Sequence, residues 1–113
     1  AFACAQLEQL DKILENKREL AEKYKTFFAD THYKFVNEPE NSKANYWLNA
    51  LILENEEERD LFLTETNENG VMTRPIWDLM SSLPMFEDCQ NDGLEKSKWL
   101  EERVVNIPSS YRP

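Results

Sequence analysis

Between residues 5 and 29 the apolar side chains recur at helical spacing. Leu7, Leu10, Leu14, Ala21, Tyr24 and Phe28 follow steps of three and four or their sum, with Ile13, Leu20 and Phe27 beside them. That spacing draws one stripe along a helix of about 25 residues. A stripe this long cannot stand in water, so the rest of the molecule must offer it a sheet, another domain or a second copy of itself. Glu8–Lys12, Arg18–Glu22 and Glu19–Lys23 sit four apart on the wet side, each pair adding a few tenths of a kcal/mol.

The remaining segments alternate between strand and helix signals. Tyr33 to Val36 suits a short strand, and residues 37–42 form a loop by composition. Residues 44–53 predict a strand with Tyr46, Leu48, Ala50 and Ile52 on one face and Trp47, Asn49, Leu51 and Leu53 on the other. Both faces are largely apolar, which predicts a central strand covered on both sides. Asn55 is a good helix N-cap with Glu58 in the capping-box place, and Glu56, Glu57 and Glu58 suit the first turn. Leu61 and Phe62 point inward, and Asn69-Gly70 ends that helix. Val71, Met72 and Thr73 predict a short strand broken by Arg74-Pro75. Asn91-Asp92-Gly93 is a turn, residues 94–103 a helix presenting Leu94, Trp99 and Leu100, and residues 104–107 a strand closing before Pro108. The order specifies an α+β domain: a long N-terminal helix, then a small, mainly antiparallel sheet with helices packed on it.

At 113 residues the chain is one domain, able to bury roughly two-thirds of its unfolded surface. Only two Gly argue against a Gly-rich phosphate cradle. Thirteen basic residues against 22 acidic ones give a net charge of −9, which disfavours nucleic acid and anionic membrane as partners. No apolar run approaches the roughly 18 residues of a membrane span, and the N-terminus lacks signal-peptide regions. The expected location is the cytoplasm. Cys4 and Cys89 show no metal-ligand spacing; two buried or half-buried thiols is the plain expectation, with a disulfide left open.

Among candidate site residues Arg74 and Trp77 stand out. A guanidinium and an indole three residues apart on a loop can hold an anionic group and stack on a flat ring, with Pro75 stiffening the link. The plain alternative is an arginine paired with a local acid and a tryptophan filling core. His32, the only histidine, has no evident partner carboxylate. The acidic run of Glu54, Glu56, Glu57 and Glu58 is explained by a solvated helix start rather than a metal site. Ser109 and Ser110 read as structural. None of Lys12, Lys17, Lys23, Lys25, Lys34, Lys43, Lys96 and Lys98 sits in an apolar setting that would lower its pKa. The residues alone give no catalytic constellation.

Several segments, in order, resemble the small domain of the DegT-type sugar aminotransferases. Residues 5–11 (AQLEQLD), with Asn16-Lys17-Arg18 and Tyr24, resemble the helix linking their large and small domains. Tyr46-Trp47-Leu48 resembles a central small-domain strand, and Arg59-Asp60 the start of the next helix. Gly70 through Trp77, Leu83-Pro84-Met85-Phe86 and Asn106-Ile107-Pro108 resemble the rest. The likeness is greatest to the branch that aminates keto-sugar nucleotides for bacterial surface sugars, including nonulosonic acids such as legionaminic acid.

The resemblance implies a pyridoxal phosphate (PLP) enzyme whose large domain holds the Schiff-base lysine and the cofactor, and whose active sites form in a homodimer. An amino group would pass from an amino acid, commonly glutamate, to a sugar carbonyl. None of the large-domain motifs is in this sequence. The resemblance therefore implies a C-terminal piece: residues 1–29 an interdomain-type helix, residues 30–113 the small domain, with no catalytic residue, cofactor ligand or metal ligand of its own. By itself it is expected to be inactive and to bind no PLP, and its bared stripe to favour pairing. Only Arg74 and Trp77 match positions facing the substrate side of the cleft. Many members have a His just before the Leu-Pro stretch where Ser81 stands here, which leaves the sugar open. The rival expectation is a free-standing acidic module docking a partner through the long helix. Against it stands the uncapped opening at Ala1, which looks like a break within an element.

Overall fold

The structure, a computed structural model, describes residues 2–111; the uncapped opening at Ala1 lies outside them. Four helices and four strands alternate along the chain. They are α1 (Phe2–Leu7), α2 (Leu10–Phe28), β1 (Lys34–Phe35), β2 (Asn49–Ile52), α3 (Glu56–Glu68), β3 (Arg74–Pro75), α4 (Glu95–Glu101) and β4 (Val104–Ile107). The strands form one antiparallel sheet in the order β1-β2-β4-β3. The α+β architecture predicted above is the one observed.

The core forms where Leu51 of β2 stands opposite Val105 of β4, both fully buried. Side chains opposite each other across antiparallel strands share a face, so Phe35, Leu51, Val105 and Ile107 line one side of the sheet. On that side α2 contributes Ala21, Tyr24 and Phe28, and α3 contributes Phe62 and Leu63. Tyr33 bridges the two helices, edge-on to Phe28 and to Phe62 with ring centroids 6.2 and 5.3 Å apart. The other side carries Ala50, Ile52 and Asn106 half-buried, with Val104 buried. β2 is central, as expected, but it is fully covered on one side only, since Ala50 and Ile52 on the other are half-buried.

The long helix is shorter and broken. Residues 8–9 form a turn, Gln9 leaves helical geometry (φ −106°, ψ 5°), and its N–H bonds the carbonyl three residues back. Every side chain from Phe2 to Leu10 is exposed, so nothing packs against α1 to hold it in line with α2. Along α2 the stripe is fully buried only at Ala21; Ile13, Leu14, Leu20, Tyr24 and Phe28 are half-buried, and Phe27 stays exposed. Of the pairs expected on the wet side, Arg18 has turned from Glu22 to Glu38, and Glu22 pairs with Lys25 instead.

Three boundaries moved because side chains claim the backbone groups a strand or helix would use. The predicted strand over residues 44–53 begins only at Asn49: Ala44 donates its N–H to Glu38 and its carbonyl accepts from Arg18, Tyr46 turns left-handed at φ +47°, and Trp47 N–H bonds Asn45 Oδ1. The strand predicted at residues 71–73 lies at Arg74–Pro75. Val71 N–H caps α3 through the Thr66 carbonyl, and Asn67 brackets the backbone of Thr73. Pro75 does not break the strand because β3 is an edge. Finally, α4 starts at Glu95, after Asn91 and Asp92 have turned the chain through their own side chains and Leu94 has taken φ +55°.

The start of α3 follows its sequence signals closely. Asn55 Oδ1 accepts the Glu58 N–H at 2.9 Å, and Glu58 reaches back to the Glu54 N–H at 2.7 Å. Gly70 ends the helix at φ +77°. Asn55→Ala is expected to destabilise the domain by about 1 kcal/mol, read as a lower urea midpoint at unchanged slope.

A second prediction concerns acid. Glu38 accepts two hydrogen bonds from Arg18, at 2.7 and 3.2 Å, and one from the Ala44 N–H at 2.7 Å. The Arg18 bonds, then that of Ala44, hold its carboxyl below the ordinary carboxylate value. A carboxyl that is more acidic in the folded state adds stability above its unfolded pKa and loses it as pH falls through the folded one. The Tm difference between wild type and Glu38→Gln is therefore expected to be fully open near neutrality and to close on acidification below the ordinary Glu range.

Candidate functional site

The helix α3 sets the place of Arg74. Thr73, buried just before β3, is held by Thr66 Oγ1 at 2.6 Å and by Asn67 Nδ2 at 3.0 Å. Arg74 then pairs with Asn106 across the sheet edge, so it stands on a strand and not on the loop expected from sequence. Its guanidinium is exposed and touches only the Met72 sulfur, at 3.7 Å. Among the described residues no carboxylate pairs with it, although the chain carries 22 acids. A solvated arginine left free of acids is available to an anion.

Trp77 follows as the chain leaves the sheet. Ile76 N–H bonds the Val104 carbonyl at 3.1 Å, and Leu79 N–H bonds Glu101 of α4 at 2.7 Å. These two bonds pin the loop around Trp77 to β4 and α4, over a cleft of about 180 Å³ that Leu79 and Leu100 also line. The indole is 68% exposed, so it does not fill core. Its ring neighbour is Trp47, itself 65% exposed, with centroids 6.1 Å apart and planes 30° apart. Arg74 and Trp77 share this end of the sheet but do not stack on each other.

Two contributors escaped sequence reasoning. Trp47 was assigned to a strand face; it sits instead on a bend beside Trp77. In sequence Lys17 has no apolar setting that would lower its pKa; in the fold it is half-buried, donates to the carbonyls of Trp47 (3.2 Å) and Ser109, and burial lowers its pKa. No local signal marks either residue, since their partners lie 30 and 92 residues away in sequence.

The remaining candidates take structural places. His32 meets Glu58 at 2.5 Å, tying the turn after α2 to the start of α3. The Glu54 N–H, then His32, keep the Glu58 carboxyl more acidic than usual. Glu56 pairs with Arg59, whose guanidinium also bonds the Glu101 carbonyl. Among the described residues no group of His, Cys, Asp and Glu is placed to hold a metal. Buried Ser109 accepts the Asn49 N–H at 2.8 Å and donates to the Ile107 carbonyl at 2.7 Å. Ser81 lies half-buried in a short 3₁₀ turn. Cys4 and Cys89 are free and exposed, correcting the expectation of buried thiols: one lies on unpacked α1, the other on the surface turn before α4. No helix among the described residues is long and apolar enough to cross a membrane.

These residues do not make a PLP site. The cofactor needs a lysine free to form a Schiff base, and the one lysine with a burial-lowered pKa has its Nζ committed to two carbonyls. What the site offers is binding: one unpaired cation and two exposed indoles at one end of a sheet.

Known proteins match this chain along almost its whole length. It is 33% identical over 112 residues to the GDP-perosamine synthase of Vibrio cholerae, covering 96% of this chain and 30% of that protein. The fold superposes on sugar aminotransferase CalS13 from Micromonospora echinospora with a TM-score of 0.80 at 19% identity, covering 97% of this chain and 29% of that one. It superposes on Helicobacter pylori PseC, an aminotransferase involved in the biosynthesis of pseudoaminic acid, with a TM-score of 0.82 at 13% identity, over 93% and 29%. The chain thus spans about 30% of the length of its curated relatives. The model of the DegT/DnrJ/EryC1/StrS aminotransferase family matches residues 1–112, and this chain belongs to that family.

Proposed function

We propose that the chain is the C-terminal small domain of a PLP-dependent aminotransferase that passes an amino group from glutamate to a keto-sugar nucleotide. In this reading residues 1–29 form the link from a large domain, and residues 30–113 cap the cleft. PLP is held by residues outside this chain, and the working unit is a homodimer. The observation that carries the reading is the match of residues 1–112 to an aminotransferase family whose curated relatives are about three times longer. Arg74 and Trp77 then face the substrate: the cation takes an anionic group of the sugar nucleotide, and the indole packs on a flat ring.

The name of the Vibrio cholerae relative supports a GDP-linked sugar of the perosamine type. The nonulosonic branch draws less support, since the likeness to PseC is at 13% identity and speaks to fold alone. By itself the chain supplies no cofactor lysine, so it is expected to show no transamination.

The test is expression of the whole reading frame around this chain, incubated with PLP, glutamate and a GDP-linked keto-sugar. An amino-sugar nucleotide detected by mass supports the reading. Turnover of a UDP-linked keto-sugar alone would move it to the other branch. No PLP absorbance and no amine product would sink it and favour the acidic docking module.

A further inference from the structure

We propose that Lys17 is a positioning residue: its two hydrogen bonds, to the Trp47 and Ser109 carbonyls, hold the Trp47 ring against Trp77 and so build a two-ring platform at the end of the sheet that carries Arg74. The platform bears on substrate only if the function proposed above is right, but its geometry can be tested with no ligand present.

Three observations support this role. The bend at residues 44–47 lies outside the sheet, and Tyr46 is held left-handed at φ +47°, a conformation that a residue with a Cβ adopts only under constraint. The Tyr46 ring is anchored by its burial in the core, and the backbone on either side of it needs further support. Consecutive cations on α2 supply it from two directions: Arg18 bonds the Ala44 carbonyl at 2.6 Å and lies over the Tyr46 ring, while Lys17 bonds the Trp47 carbonyl at 3.2 Å. The other end of the Lys17 bridge is the Ser109 carbonyl, just beyond β4. Trp77 is tied to the same strand, through Ile76 and Val104. Lys17 therefore fixes Trp47 in the frame that carries Trp77.

Lys17 is also partly desolvated with no carboxylate paired to it among the described residues. A lysine serving only solubility or an ion pair would not be spent on two backbone carbonyls.

Two coupled indoles give an exciton couplet in far-ultraviolet circular dichroism. The couplet is defined here as the signal that Trp77→Phe removes from the wild-type chain. It should be present, and Trp47→Phe should remove it as well. Lys17→Met should lose more than half of it while keeping the helical signal and a cooperative melt, and Lys17→Arg, long enough to reach both carbonyls, should restore it. A full couplet in folded Lys17→Met overturns the proposal, as does no couplet in wild type. If Lys17→Met does not fold, Lys17→Gln is judged on the same criteria. Collapse of both variants also overturns it, because Lys17 would then hold the fold and not the rings. These outcomes do not depend on any substrate. A positive couplet with no amine product from the whole reading frame would separate failure of the proposed function from failure of this inference.

Discussion

Leu51→Ala is expected to be the most damaging single truncation, costing about 2–5 kcal/mol. Leu51 is completely buried on a central strand, opposite an equally buried Val105. Removing its side chain leaves a void walled by two sheet strands and two helices, and paired strands cannot close in to fill it. A domain of this size holds only about 5–15 kcal/mol in total, so Tm should fall by about 10 °C or more. Leu61→Ala is the matched control. Leu61 sits on α3 but is 58% exposed, and its loss should stay within about 0.5 kcal/mol. Paired thermal melts decide the matter. Equal losses in the two variants would mean that the buried sheet face is not the centre of the core.

The contrast between these leucines also shows what the sequence could and could not convey. Periodicity is local, so it located α2, α3 and the β4 strand, and the Asn55 cap and Gly70 stop are written in residue types. The same local signal could not say that Phe27 would face water while Phe28 packs, because that depends on where the sheet lies. Strand ends failed wherever a distant side chain took the backbone. Asn67 claims Thr73, and Arg18 and Glu38 claim Ala44, which moved both predicted strands. Of the candidate site, Arg74 and Trp77 are legible as types on a short, proline-stiffened stretch. Trp47 and Lys17 are not, since their roles arise only when β2, β4 and α2 meet. His32 misled in the opposite way: its carboxylate exists, 26 residues on, and serves as a structural clip.

On the proposed function, Arg74→Ala in the full-length protein is expected to raise KM for the sugar nucleotide by about 10- to 100-fold, the loss of a charge-assisted hydrogen bond of about 1.5–3 kcal/mol. Trp77→Ala should raise KM about tenfold through lost stacking of about 1–2 kcal/mol. In both, kcat should change much less, because the role proposed for each is binding and not proton transfer. The structure makes this a clean test of binding. Both side chains are exposed, neither belongs to the buried cluster, and among the described residues Arg74 pairs with no acid. Truncating either should leave the Tm of this domain unchanged within about a degree or two. Arg74→Lys separates charge from shape: a lysine keeps the charge but cannot hold an anion through two parallel N–H bonds, so recovery of most of the lost affinity would mean that charge alone matters. A variant that lowers kcat with KM unchanged would place these residues at the chemistry rather than at the far end of the substrate, and the capping role assigned to this face would have to be abandoned.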